Sequence, residues 1–172
     1  MNTDHLLMLF DYNYWANGRI LEQTAKVSPE QYTAPASVPF GSLRGTLVHL
    51  LSAERTWRMR CQEGISPSAM LSETGYATFD QLISLWREEE SAMRAYIRTL
   101  SEADLEKPIR YTNTKGATLE VRLSHILTHV VNHGTQHRSE AAILLTDFGH
   151  SPGDLDFIYF SLAQQPTGAR PS

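Results

Sequence analysis

Apolar positions recur at helical spacing along most of the chain. Leu6, Leu9, Phe10, Tyr14, Ile20 and Leu21 fall near one face of a segment from about Thr3 to Lys26, which predicts a first long helix. Ser28-Pro29-Glu30-Gln31 reads as a capping serine, a proline at the first helical position and a capping-box glutamine. Pro35 and Pro39 restrict the helix begun there to a short turn. Ser42 is placed to cap a second long helix, to about Cys61 or Gln62, that buries Leu43, Leu47, Leu50, Ala53 and Trp57. Gly64 and Pro67 open an irregular loop, and Thr78-Phe79-Asp80-Gln81 has capping-box spacing for a third helix to about Leu100.

Ser101 to Asp104 predicts one more short turn, stopped by Pro108. Ile109–Thr112 and Ala117–Leu119, joined by Asn113-Thr114-Lys115-Gly116, read as a small hairpin that must pack on the helices to persist. A fourth long helix is predicted from about Glu120 to Phe148, with Gly149 in a C-cap position, and a last short helix over about Leu155 to Leu162. Four long helices with short connections predict an all-α, four-helix-bundle domain over residues 1–163, with short extra helices and a hairpin before the last long helix. The Gly/Pro/Ser-rich residues 164–172 are expected to be a disordered tail.

Composition narrows the partners. The 172 residues carry 15 basic and 19 acidic side chains, a net charge of −4, which argues against a nucleic-acid partner. Arg55, Arg58 and Arg60, the one dense basic group, read as a solvated helix face. A lone cysteine, Cys61, suits a reducing compartment. No signal peptide and no apolar run of about 20 residues is present, so the expectation is a cytoplasmic protein without a membrane partner.

The candidate chemistry lies in the histidines. His125, His129, His133 and His137 recur every four residues on the fourth long helix, and His49 sits on the second. Residues four apart differ by about 40° in direction, so any adjacent pair can converge on one ion, but all four cannot. Ile126, Leu144, Val130, Leu123 and Ala141 centre the apolar stripe about 50° from His133. His137 falls in that centre and His133 just inside its edge, while His129 and His125 drift to the polar flank. A surface pair can share this spacing without any metal; the stripe is what favours His133 and His137 as a buried pair. Two adjacent buried imidazoles need partners for their ring nitrogens, and a metal ion supplies one to each. Glu140, one turn on, is a candidate outer carboxylate. Gly134 is a place where a neighbouring helix can approach. His49 lies on the edge of its own stripe and by itself signals little. Glu54, inside that stripe, is expected either to pair with an arginine or to attach to the site. His5 and His150 read as surface residues, and Tyr12, Tyr14, Trp15, Trp57 and Trp86 as core or interface packing.

The segment His129-Val130-Val131-Asn132-His133-Gly134-Thr135-Gln136-His137-Arg138 resembles the C-terminal signature of the DinB-like family, the DinB/YfiT-like metalloenzymes. Tyr12 to Asn17, His49 to Trp57, and Gly149 to Pro152 with Asp154, Asp156 and Phe157 resemble further family landmarks, in order along nearly the whole chain. The resemblance implies a four-helix bundle, commonly a homodimer, with a divalent metal held by residues matching His49, His133 and His137; it is the resemblance that supplies His49. Ser139 and Glu140 stand where many relatives carry glycine and glutamine. Three neutral ligands leave open positions, the pattern of a catalytic site. Imidazole suits zinc or nickel first, with iron or manganese as further choices. Relatives include transferases and isomerases that use low-molecular-weight thiols. The functional expectation is therefore a metal-dependent thiol S-transferase or hydrolase, with Glu54, Asn17 and Glu140 as candidates for proton handling. The alternative is a metal-stabilised, damage-inducible dimer without catalysis. No substrate motif is visible in the loops Pro35–Phe40 and Gly64–Tyr76.

Overall fold

The structure, a computed structural model, describes residues 2–165. The element order is α1 (Thr3–Thr24), α2 (Pro29–Thr33), α3 (Leu43–Arg58), α4 (Phe79–Arg98), α5 (Glu102–Leu105), β1 (Pro108–Thr112), β2 (Thr118–Arg122), α6 (Leu123–Asp147) and α7 (Phe157–Ala163). The all-α bundle expected from the spacing is present: α3 packs against α4 and α6, and α1 against α4 and α6. Local chemistry sets the starts of these helices. Asn2 Oδ1 accepts from the His5 amide at 2.8 Å, and Ser42 Oγ from the Gly45 amide at 2.9 Å. The Ser28–Gln31 capping box closes in both directions. Among the described residues no helix is long and apolar enough to cross a membrane.

Two boundaries differ from expectation, and a third is reached in another form. The hairpin takes Glu120 to Arg122 from the predicted helix, because β1 pairs antiparallel with β2 in a register that joins Pro108 to Arg122. The Leu123 amide then donates to the Lys107 carbonyl at 2.9 Å, so α6 begins where the ladder ends. The second long helix reaches its expected end, but its last turn, Met59–Glu63, is a π-turn closed by Gly64 at φ 68°. The last helix starts at Phe157 rather than near Leu155. The tail expected from Gln164 onward lies, beyond Gln165, outside the described residues.

The core is interrupted at mid-height. One apolar cluster gathers Leu6, Phe10, Tyr14, Met93, Ile97, Leu127 and Val131; another gathers Ile20, Leu47, Leu51, Leu82, Trp86, Ala141 and Leu145. Between these positions every long helix contributes polar side chains. Asn13 and Asn17 come from α1, His49 and Glu54 from α3, Glu89 from α4, and His133, His137 and Arg138 from α6. Buried polar groups are stable only with partners, so each member of this layer has to be accounted for.

Candidate metal centre

Adjacent turns of α6 carry His133 and His137, and the packing of α3 on α6 brings in His49. The ring centroids are 4.4 Å apart for His133 and His137, 5.0 Å for His49 and His133, and 4.7 Å for His49 and His137. The Nε2 atoms of His49 and His133 approach to 3.0 Å. One ligand atom from each ring lies within 4.8 Å of the others. His137 is buried, and its Nδ1 lies 2.8 Å from Glu140 Oε2. With Nδ1–H donating to that carboxylate, the Nε2 lone pair is left for an electrophile. The carboxylate expected one turn on, Glu140, is thus in contact with His137.

Phe40 covers the group. Its ring stacks on His49 at 3.7 Å between centroids and 15° between planes, and meets His137 edge-on at 5.3 Å. The loop carrying it is drawn tight by Ala36 N–H to the Gly41 carbonyl at 2.8 Å, with Gly41 at φ 71°. A Cβ on Gly45 would collide with the Phe40 carbonyl, so the glycine is what lets α3 start against this loop.

Burial, with His137 beside it, pushes His49 down to about 4; burial, with His137, His49 and His129 around it, pushes His133 down to about 3. Both rings are neutral near pH 7, the state a metal requires of imidazole. Nitrogens around a tetrahedral zinc ion at about 2.05 Å stand about 3.3 Å apart. The observed 3.0 Å approach, and the 4.8 Å limit on the whole set, bracket that spacing. Three imidazoles, one of them oriented by a carboxylate, can hold a metal ion.

The rest of the polar layer is closed on itself. Arg138, 1 % exposed, donates through Nη1 to the Oδ1 of Asn13 and, at 2.9 Å, to that of Asn17, and through Nη2 to Thr135 Oγ1 at 3.0 Å. Asn13 passes the chain on: its Nδ2 donates to Glu54 Oε2 at 3.3 Å, while the Tyr14 hydroxyl donates to Glu54 Oε1 at 2.7 Å. Burial raises the Glu54 carboxyl to about 7 against the opposing hydrogen bonds, and burial also lowers Arg138. A guanidinium does not deprotonate in proteins, so Arg138 is the fixed charge of this cluster. Gly134 admits the contact with α1, since a Cβ there would lie 2.7 Å from both Arg138 Nη1 and Asn13 Oδ1.

Several sequence expectations are met and some are corrected. His49, His133 and His137 come together, while His129 and His125 are exposed on the flank. His129 touches the set only through His133, with centroids 5.4 Å apart, and packs on the edge of Trp57 at 5.5 Å. Glu54 neither pairs directly with an arginine nor joins the imidazoles; Tyr14 and Asn13 hold it instead. Asn17 is committed to Arg138. The Arg55–Arg60 group is not a solvated face throughout. Arg58 pairs with Glu89 and Glu63, and Arg60 is buried with its guanidinium 4.7 Å from each of the Trp57 and Tyr111 rings. Tight packing of the hairpin against the π-turn draws that cation in. The roles of Phe40 and Arg138 escape the sequence reading. Phe40 sits in a proline-bounded loop with no periodic signal. Arg138 lies about 90° from the centre of its helix's apolar stripe. The Asn13/Asn17 pair, four apart on a buried face, is the available sign that a buried donor faces α1.

Comparison with known proteins agrees with this architecture. The chain is 25% identical over 162 residues to Protein DinB of Bacillus subtilis (strain 168), covering 90% of this chain and 92% of that one. The sequence profile of the DinB family matches residues 1–168. With a helical bundle, a three-histidine group at mid-height and a family match over almost its whole length, the chain belongs to the DinB family.

Proposed function

We propose that His49, His133 and His137 bind one divalent ion, zinc or nickel first, and that the protein is a metal-dependent enzyme of the thiol S-transferase or hydrolase type. The observation that supports this is the mismatch between donors and partners. Three imidazoles converge from two helices, and of the three only His137 has a ring nitrogen held by an acidic side chain. Three protein ligands leave further positions on an ion for a thiol, water or substrate. When bound there, a divalent ion supplies Lewis acidity that lowers the pKa of such a group near neutrality.

The protein's own residues supply orientation and shielding. Glu140 fixes the His137 ring through Nδ1, beside the rings of His49 and His133. Phe40 excludes water from the outer face of His49. Glu54, raised to about 7, can exchange a proton near neutral pH, with the Tyr14 hydroxyl as its partner. A low-molecular-weight thiol is the proposed co-substrate, and the functional unit is proposed to be a homodimer.

The test is cobalt substitution of stripped protein, followed by addition of a small thiol. The enzyme reading expects the stripped protein to stay folded and the cobalt spectrum to gain a sulfur-to-metal charge-transfer band. Unfolding on metal removal, with no spectral response to thiol, would instead mean that the ion only ties α3 to α6, the non-catalytic alternative.

A further inference from the structure

The two α6 imidazoles of the candidate centre differ in what holds their outer nitrogen. On His137 that nitrogen is Nδ1, and Glu140 takes it at 2.8 Å. On His133, Nε2 meets Nε2 of His49 at 3.0 Å, which leaves Nδ1 without a side-chain partner among the described residues. An imidazole that binds a metal through one nitrogen is ordinarily held at the other by a carboxylate, a carbonyl or a water. His133 lines a small cavity in the polar layer, of about 10 Å³, and so do Glu54, Asn17, Ala53 and Arg138. That volume is room for about one water molecule. The cavity walls offer such a water its partners. Glu54 accepts one hydrogen bond at each oxygen, from Tyr14 and from Asn13, and a carboxylate has about four acceptor positions. The Asn17 side-chain oxygen accepts from Arg138, and among the described residues its Nδ2 donates to no protein group. His133 Nδ1–H, Asn17 Nδ2–H and a Glu54 lone pair make about three partners, the usual number for a buried water.

We propose that Glu54 is the outer carboxylate of His133, acting across one water held in this cavity, as Glu140 acts directly on His137. His133 Nδ1–H and Asn17 Nδ2–H donate to the water, and the water donates to Glu54. Glu54 is thereby a positioning residue. It does not touch the ion; it fixes which nitrogen of His133 carries the proton and so leaves Nε2 as the ligand atom. The polar network around Arg138 and the imidazole group are then joined through this one water. The bridge itself needs no ion, whereas its effect on metal affinity rests on the proposal that His49, His133 and His137 hold one.

The test compares Glu54→Gln, Ala53→Val and Thr135→Val in the untagged full chain. Ala53→Val enlarges a side chain of the cavity wall, which displaces the water while keeping Glu54 and its direct partners. Thr135→Val takes a hydrogen bond from Arg138 outside the cavity and controls for damage to the buried network. Competition titration of chelator-stripped protein with zinc should show about tenfold weaker binding in the first two variants and wild-type affinity in the third. In metal-free protein labelled at the histidine nitrogens, magnetic resonance should place the His133 proton on Nδ1 and show that preference lost in the first two variants alone. Wild-type zinc affinity in either Glu54→Gln or Ala53→Val overturns the bridge, and so does a His133 proton resident on Nε2 in wild type. Equal weakening in Thr135→Val would assign the effect to the network as a whole and overturn it too. A wild type that binds no zinc overturns the triad instead, and the nitrogen spectra then decide the bridge alone.

Discussion

Two polar clusters share the middle of this bundle and solve burial in different ways. Around Arg138, the charged groups meet counterparts from another helix or from its own: Asn13, Asn17 and Thr135 take the guanidinium, and Asn13 and Tyr14 hold Glu54. Around His49 and His133, two ring nitrogens meet at 3.0 Å, where either can donate to the other according to tautomer, and neither has an acidic hydrogen-bond partner. The first arrangement is a network of direct protein hydrogen bonds, and it borders His133 across a small shared cavity. The second gathers three imidazoles that could hold an ion, which is what the proposed function builds on.

The sharpest way to break this contrast is to remove one member of each cluster and measure unfolding of metal-free protein. Arg138→Met leaves two buried amide oxygens without their donor and should lower stability by about 3 kcal/mol. His49→Leu removes a ring whose one side-chain hydrogen bond is to the half-buried His133, which solvent can replace, and should stay within about 1 kcal/mol of wild type. Equal losses in the two variants would erase the distinction. A smaller effect is expected outside the ligand set. Glu140→Gln keeps the shape but weakens the grip on the His137 Nδ1–H, and should lower zinc affinity about 10–100-fold with little change in metal-free stability. Unchanged affinity in a competition titration would mean that Glu140 does not orient the ring.

The smallest effect is in pH dependence, where the clusters act with opposite sign. His49 and His133 are held at about 4 and about 3 in the fold, below the usual value of 6.5, so the unfolded chain binds more protons in between. Their contribution is lost as pH falls below about 6.5. Glu54 is held at about 7, above its usual 4.5, so the folded chain binds the extra proton there. Its contribution is present at low pH and fades as pH rises through about 7. Glu54→Gln removes only the second, so metal-free variant protein should lose stability more steeply than wild type between pH 7 and pH 5. Parallel urea midpoints at the two pH values would contradict this.

Much of this is legible in the sequence, for reasons of periodicity. The apolar stripe of α6 distinguishes His133 and His137 from His129 and His125, and its geometry is what the fold shows. Caps at Ser28 and Ser42 locate helix starts to the residue. What periodicity does not reach are contacts between elements. His49 gives little signal on its own helix and needs family resemblance. Phe40 is brought over the imidazoles by a loop whose closure depends on Gly41 and Gly45. Arg60 sits in a charge-dense run that looks solvated until the hairpin packs on it. The start of α6 falls later than the periodicity predicts because Glu120 to Arg122 continue an apolar–polar pattern that strand pairing with β1 claims first.

The most direct test of the central claim is elemental analysis of untagged protein together with His49→Ala and His137→Ala. Near-stoichiometric divalent metal in wild type, and its loss in both folded variants, is the predicted result. Metal content unchanged in both variants would contradict the site.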